Sequence, residues 1–193
     1  MKIVLASSSP RRISLLSGMN VEFEIRRPDV DEEFFEDPVK TVEFNALKKA
    51  RAVRKGREIV LGFDTIVFLD GEILGKPQNE NHAYRLLKKL SGKVHRVYTG
   101  IAVVTPEKEI VDHEVSEVKF RPLTDREIWE YIKTGEPLDK AGAYGYQEKG
   151  RDLVEYVNGS ETNVIGLPIE KLKTLLEKIG VCDIFRRRNH GCD

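Results

Sequence analysis

Cysteine is nearly missing from this chain: of its 193 residues only Cys182 and Cys192 carry a thiol, both within the last dozen positions. They cannot staple the body of the protein, and they leave it no cysteine nucleophile. A net charge is also missing, because 32 basic side chains balance 32 acidic ones. That balance argues against the broad basic face of a nucleic-acid coat or a membrane-surface protein, so neither partner is expected. No run of about 18 apolar residues could span a bilayer. The N-terminal IVLA falls short of the roughly 7–15 apolar residues of a signal-peptide core, so a cytoplasmic location is expected. The four histidines, His82, His95, His113 and His190, are scattered without ligand or triad spacing, and His82 and His95 fall at positions expected to be solvated. GxSxG, the Walker loop GxxxxGK[ST] and GxGxxG are all absent, so serine hydrolases, P-loop enzymes and Rossmann dehydrogenases find no support.

What is present starts at LASSSPRR. Ser9 suits a helix N-cap and Pro10 the first helical position, where a missing N–H costs nothing. Arg11 and Arg12 then oppose the partial positive charge of the helix start. A bound anion reconciles these features, since hydroxyls, free amides and guanidinium forks all favour phosphate.

Along the chain, KIVLA and VEFEI read as strands, and residues 38–54 as a helix with Val42, Ala46, Lys49 and Val53 near one face. Asp70-Gly71 marks a hairpin within EIVLGFDTIVFLDGEILGKP. A helix follows over NENHAYRLLKKLSG, then two long strands joined at PEK. TDREIWEYIKTG and LPIEKLKTLLEKIG read as helices, with DLVEYVNGS as a strand between them. The pattern predicts an α/β domain over residues 1–180, with a mixed, twisted sheet flanked by helices. Residues 181–193, with Arg186 to Arg188, read as a flexible basic tail.

Three further stretches carry chemistry. Asp64 sits in an apolar, β-branched strand, where a carboxylate is costly to bury without a partner or a metal. Continuing the hairpin register from Leu69–Glu72 reaches Thr65–Lys76, which gathers a carboxylate, a hydroxyl and an ammonium at one end. The acidic run Asp31, Glu32 and Glu33 could share a divalent cation with Asp64 if it lies close by. Finally, DKAGAYGYQEKG offers an adaptable backbone, two tyrosine faces and the Gln147 amide. That amide complements the adjacent donor and acceptor of uracil or thymine.

Taken in order, LASSSPRR, GFDTIV, GEILGKP, HRVYTG, GEPLDKAGAYGYQ, VNGS and VIGLP resemble the Maf family of nucleoside triphosphate pyrophosphatases. The resemblance implies two lobes around a cleft, as in inosine triphosphate pyrophosphatases, a possible homodimer, and metal-assisted hydrolysis to a monophosphate and pyrophosphate. Mg²⁺ or Mn²⁺ is the implied cofactor, and a nucleoside triphosphate the implied partner. Matched by motif, Ser7, Arg11 and Arg12 take the phosphate-binding start, Glu32 the acidic position and Lys49 the helix lysine. Asp64 takes the catalytic acid as proton acceptor and metal ligand with Glu32, Lys76 the GKP lysine, and Gln147 the glutamine of the glycine-rich loop. Thr65 joins Gln147 in choosing the base. The loop resembles the branch acting on dTTP and UTP. The family is also described as inhibiting septum formation and as removing non-standard nucleotides. Two other readings stay open: pyrophosphatase action on 7-methyl-GTP or another modified purine, and a non-catalytic nucleotide sensor for cell division.

Overall fold

The computed structural model describes residues 2–181; Met1 and the basic tail from Cys182 onward, with its arginines, lie outside the described residues. The elements run β1 (Lys2–Ala6), α1 (Pro10–Gly18), β2 (Phe23–Ile25), α2 (Pro38–Val53), β3 (Glu58–Leu69), β4 (Glu72–Leu74) and α3 (Glu80–Leu90). They continue with β5 (Val94–Val104), β6 (Glu109–Phe120), α4 (Asp125–Ile132), β7 (Val154–Asn158), α5 (Glu161–Ile165) and α6 (Ile169–Lys178). Between α4 and β7 the chain makes three short 3-10 turns. Asn79 caps α3, and Thr124 with Glu127 closes a full capping box on α4.

The seven strands form one mixed sheet in the order β2-β1-β3-β5-β6-β7, with β4 also on β3. β1 runs parallel to β2 and β3, whereas the β3–β5–β6–β7 part is antiparallel throughout. α2 covers one face through Ala46, Ala50 and Val53 against Val4, Val60 and Ala102. On the other face, Leu16 of α1 and Leu172, Leu175 and Leu176 of α6 pack on Ile3, Leu5, Leu61 and Phe63. Farther along the long strands a separate core joins α3 and α4 to Val67, Val97 and Phe120. Each fully buried Leu, Ile or Phe contributes about 1.5–3 kcal/mol of transfer free energy, so the two faces hold one lobe together and the α3/α4 core holds the other.

The two lobes meet at a gap. One edge of β3 pairs with β1 over Glu58–Gly62 and with β4 over Val67–Leu69, so no strand covers residues 63–66. The hairpin ladder starts at Leu69–Glu72 as expected but stops at Val67–Leu74 and does not reach Thr65–Lys76. Just past the last pair, the Gly75 carbonyl accepts the Gly142 N–H at 3.1 Å, which brings the glycine-rich loop alongside the end of the hairpin.

Candidate active site

The gap in β3 opens into a cleft of about 430 Å³ lined from both lobes. At its floor Asp64 and Thr65 point to opposite faces of the sheet, as the strand period of two requires, and the cleft reaches both. Asp64 points to the α2 face. Glycine stands at Gly62, two residues earlier, and at Gly100, directly across on β5. A Cβ on Gly62 would lie 2.9 Å from the Ala50 Cβ, and one on Gly100 would lie 2.8 Å from the Glu43 amide nitrogen. Those bare positions let α2 press on the sheet, and the helix then delivers Lys49 and Asn45 to the carboxylate.

The Lys49 ammonium donates to Asp64 Oδ1 at 2.5 Å and to Glu32 Oε1 at 2.6 Å, bridging the two carboxylates. Asn45 Nδ2 donates to Asp64 Oδ2 at 3.4 Å and to the Glu33 carbonyl at 2.8 Å, while Asn45 Oδ1 accepts the Glu33 N–H at 2.9 Å. Asn45 thereby fastens the acidic run to α2, and Thr41 repeats the device one turn earlier on the Phe35 N–H at 3.0 Å. Of the three acidic candidates, Glu32 meets Lys49, whereas Glu33 turns outward to Lys48 at 2.7 Å. Burial pushes Asp64 up, with Glu32 adding to the shift and Lys49 opposing it. For Glu32 burial acts upward too, but Lys49, Lys76 and Arg12 outweigh it and its carboxyl ends below the usual range.

The start of α1 differs in detail from the expectation. Ser9 holds the N-cap position with an extended backbone but forms no side-chain cap, and its own N–H donates to Ser7 Oγ at 3.1 Å. No acidic residue occupies the first turn. The two arginines part company there. Arg12 Nε donates to the Gly166 carbonyl at 2.8 Å and Nη2 to Thr65 Oγ1 at 2.9 Å, with Nη1 3.5 Å from Ser7 Oγ. Desolvation lowers its guanidinium to about 10 against the pull of Asp64, so it stays charged at neutral pH. Arg11 also lines the cleft but makes no hydrogen bond or ion pair among the described residues. Thr65 is held further by Thr99 Oγ1 at 2.9 Å. Lys76 is exposed on the cleft rim.

Ser7, Arg11, Arg12, Glu32, Lys49, Asp64, Thr65 and Lys76 are thus brought together around one cavity. Gln147 is not: it is exposed and outside the lining, to which its loop contributes Ala141, Tyr144, Gly145 and Tyr146. His95, expected at a solvated position, is buried at 2% exposure. Its strand position faces the second core, where its ring packs edge-on against Phe120 and Nε2 meets the Tyr144 hydroxyl at 2.8 Å. Asn45 and Thr41 join the site without belonging to any of the stretches singled out in the sequence, although Thr41, Asn45 and Lys49 recur every four residues. A polar stripe at that spacing, beside the apolar face, is a legible signal.

Two carboxylates, one buried and one at the rim, form an oxygen-only donor set that suits a hard divalent cation completed by phosphate oxygens. Among the described residues, the one group of three such side chains close enough to share an ion is Glu43, Asp112 and His113, a mixed nitrogen and oxygen set between α2 and β6, and none of them lines the cleft.

A buried acid, a helix start and a set of basic side chains lining one cleft of a two-lobed mixed α/β fold define a protein that handles polyphosphates. The chain belongs to the Maf family: the model of Maf-like proteins matches residues 2–179. It is similar to a dTTP/UTP pyrophosphatase of Dictyoglomus thermophilum, 47% identical over 186 residues, covering 93% of this chain and 96% of that one. A dTTP/UTP pyrophosphatase of Aquifex aeolicus is 47% identical over 184 residues, covering 94% and 97%. One from Thermotoga maritima is 47% identical over 192 residues, covering 97% and 94%.

Proposed function

We propose that this chain hydrolyses dTTP and UTP to the nucleoside monophosphate and pyrophosphate. The observation that carries the reading is the Lys49 bridge between Asp64 and Glu32, set across the cleft from the start of α1. The relatives named dTTP/UTP pyrophosphatase support it.

The phosphates bind where Ser7, Arg11, Arg12 and the first-turn amides of α1 converge. Arg12 is pre-set by Gly166 and Thr65, which limits the ordering cost of binding. Asp64, raised by burial, takes the proton of the attacking water. Lys49 and Lys76 neutralise charge on the departing pyrophosphate. A divalent cation, Mg²⁺ or Mn²⁺, would be held by Glu32 and Asp64 and would supply Lewis-acid polarisation of phosphate and water. The base lies at the apolar end, against Val67, Val97, Tyr144 and Tyr146. Thr65 sits between the two ends, and Gln147 reaches the base only if its loop moves inward.

The test is a turnover screen of canonical and modified triphosphates with pyrophosphate detection. UTP and dTTP leading the panel is the expected result, and a modified purine leading it, or no turnover at all, contradicts the reading.

A further inference from the structure

We infer that Glu136 and Tyr131 are positioning residues that shape the base end of the cleft by fixing the glycine-rich loop. The inference rests on the reading of a nucleotide with its base against that loop.

The loop that carries Ala141, Tyr144, Gly145 and Tyr146 into the cleft has no strand ladder and little helix to hold it. Its backbone groups therefore need other partners. They find them at one buried carboxylate. Glu136 Oε1 accepts the Tyr131 hydroxyl at 2.8 Å and the Gly150 N–H at 3.2 Å, and Oε2 accepts the Lys149 N–H at 3.2 Å. The Tyr131 hydroxyl in turn accepts the Gly145 N–H at 3.0 Å. The Lys140 ammonium, buried beside them, donates to the Glu136 carbonyl at 2.8 Å. Positions 140, 145, 149 and 150 are thus tied to one point, and Gly145 is itself a cleft wall.

Two glycines record how tight this knot is. A Cβ on Gly145 would stand 3.0 Å from Glu136 Oε1 and 2.6 Å from the Lys140 Cε. One on Gly150 would stand 2.7 Å from the Tyr131 hydroxyl oxygen. Gly145 and Gly150 serve a close approach of backbone to this carboxylate–phenol pair. Tyr131 comes from α4 and so transmits the rigid helix of the second lobe to the loop. Tyr131, Glu136, Lys149 and Gly150 lie outside the cleft lining, so the knot acts on the cleft through Lys140 and Gly145, whereas Ser7, Arg11, Arg12, Lys49 and Lys76 line it directly.

The roles separate in Tyr131→Phe, which keeps the ring and deletes the bridge, and in Glu136→Gln, which keeps the shape. Calorimetry with UMP reads the base end, and calorimetry with inorganic tripolyphosphate reads the phosphate end, neither needing turnover. In Tyr131→Phe, UMP affinity is expected to fall roughly five- to a hundredfold, with tripolyphosphate affinity within about twofold of wild type. Glu136→Gln should behave likewise, and if it does not fold, Tyr131→Phe alone carries the test. Unchanged UMP binding, a parallel loss for both ligands, or a wild-type chain that binds no UMP would overturn the inference. A wild type that binds UMP selectively but releases no pyrophosphate from UTP would sink the proposed activity and leave this inference standing.

Discussion

Arg11 and Arg12 are neighbours in one helical turn, yet the protein treats them differently. Arg12 is fastened to Gly166 and Thr65, so removing it takes away a phosphate donor and also unties α1 from α5 and β3. Arg11 holds nothing in the described structure and faces the cleft. It is therefore the cleaner probe of anion binding. Arg11→Ala should raise the KM for UTP about tenfold, the worth of one charge-assisted contact, and shift the melting temperature by no more than about 2 °C. A melting loss with an unchanged KM would make Arg11 a surface charge. Steady-state kinetics and a thermal melt on the same sample decide it.

The element that makes the site is α2. Its apolar residues Val42, Ala46 and Ala50 press on the sheet, and its polar stripe Thr41, Asn45 and Lys49 faces the acidic run and Asp64. This depends on the absence of side chains at Gly62 and Gly100. Gly100→Ala places a methyl group against the backbone of Val42 and Glu43, and neither backbone can yield cheaply. Overpacking of this kind costs about 1–3 kcal/mol, and the shift of α2 carries Lys49 away from Asp64. The expected outcome is a lower urea midpoint together with a kcat reduced about tenfold or more; a kcat at the wild-type level would show that the helix can lift without disturbing the pair. Much of this element was legible: the helix at 38–54, Lys49 on it, and Asp64 as an acid in an apolar strand. What joins them was not. Nothing local to GFDTIV or VHRVYTG says that Gly62 and Gly100 face the same helix, because strand register across the β3–β5 pair is a long-range property. The same limit hid the end of the hairpin ladder, where Gly142 arrives from some 65 residues away to take the Gly75 carbonyl.

At the scale of the molecule, two lobes share one sheet and the cleft lies where one side of β3 is left unpaired, so stability of the second lobe and shape of the base end are coupled. His95 reports on that coupling. Burial lowers its pKa from 6.5 to about 3, so it is neutral in the folded state. The unfolded chain takes up a proton near 6.5 that the folded chain refuses. The stability it preserves is complete above pH 6.5 and is lost as pH falls from there toward 3. Between pH 7 and 5.5 the wild type should lose about 1 kcal/mol that His95→Gln does not lose, as read by urea melts at the two pH values. Equal losses in both proteins would place the imidazole in water. The mixed sheet was foreseeable from the strand pattern and the lobes from the family resemblance, but the burial of His95 was not, since a histidine at an alternating position reads as solvated until the opposite core is known.

In the proposed reaction this cleft directs water to the α-phosphorus, and its cations receive the departing pyrophosphate. Hydrolysis of UTP in ¹⁸O-labelled water tests it most directly. UMP carrying one ¹⁸O and unlabelled pyrophosphate are the expected first products. Labelled pyrophosphate with unlabelled UMP would mean attack at the β-phosphorus, and UDP with labelled orthophosphate attack at the γ-phosphorus; either would contradict it.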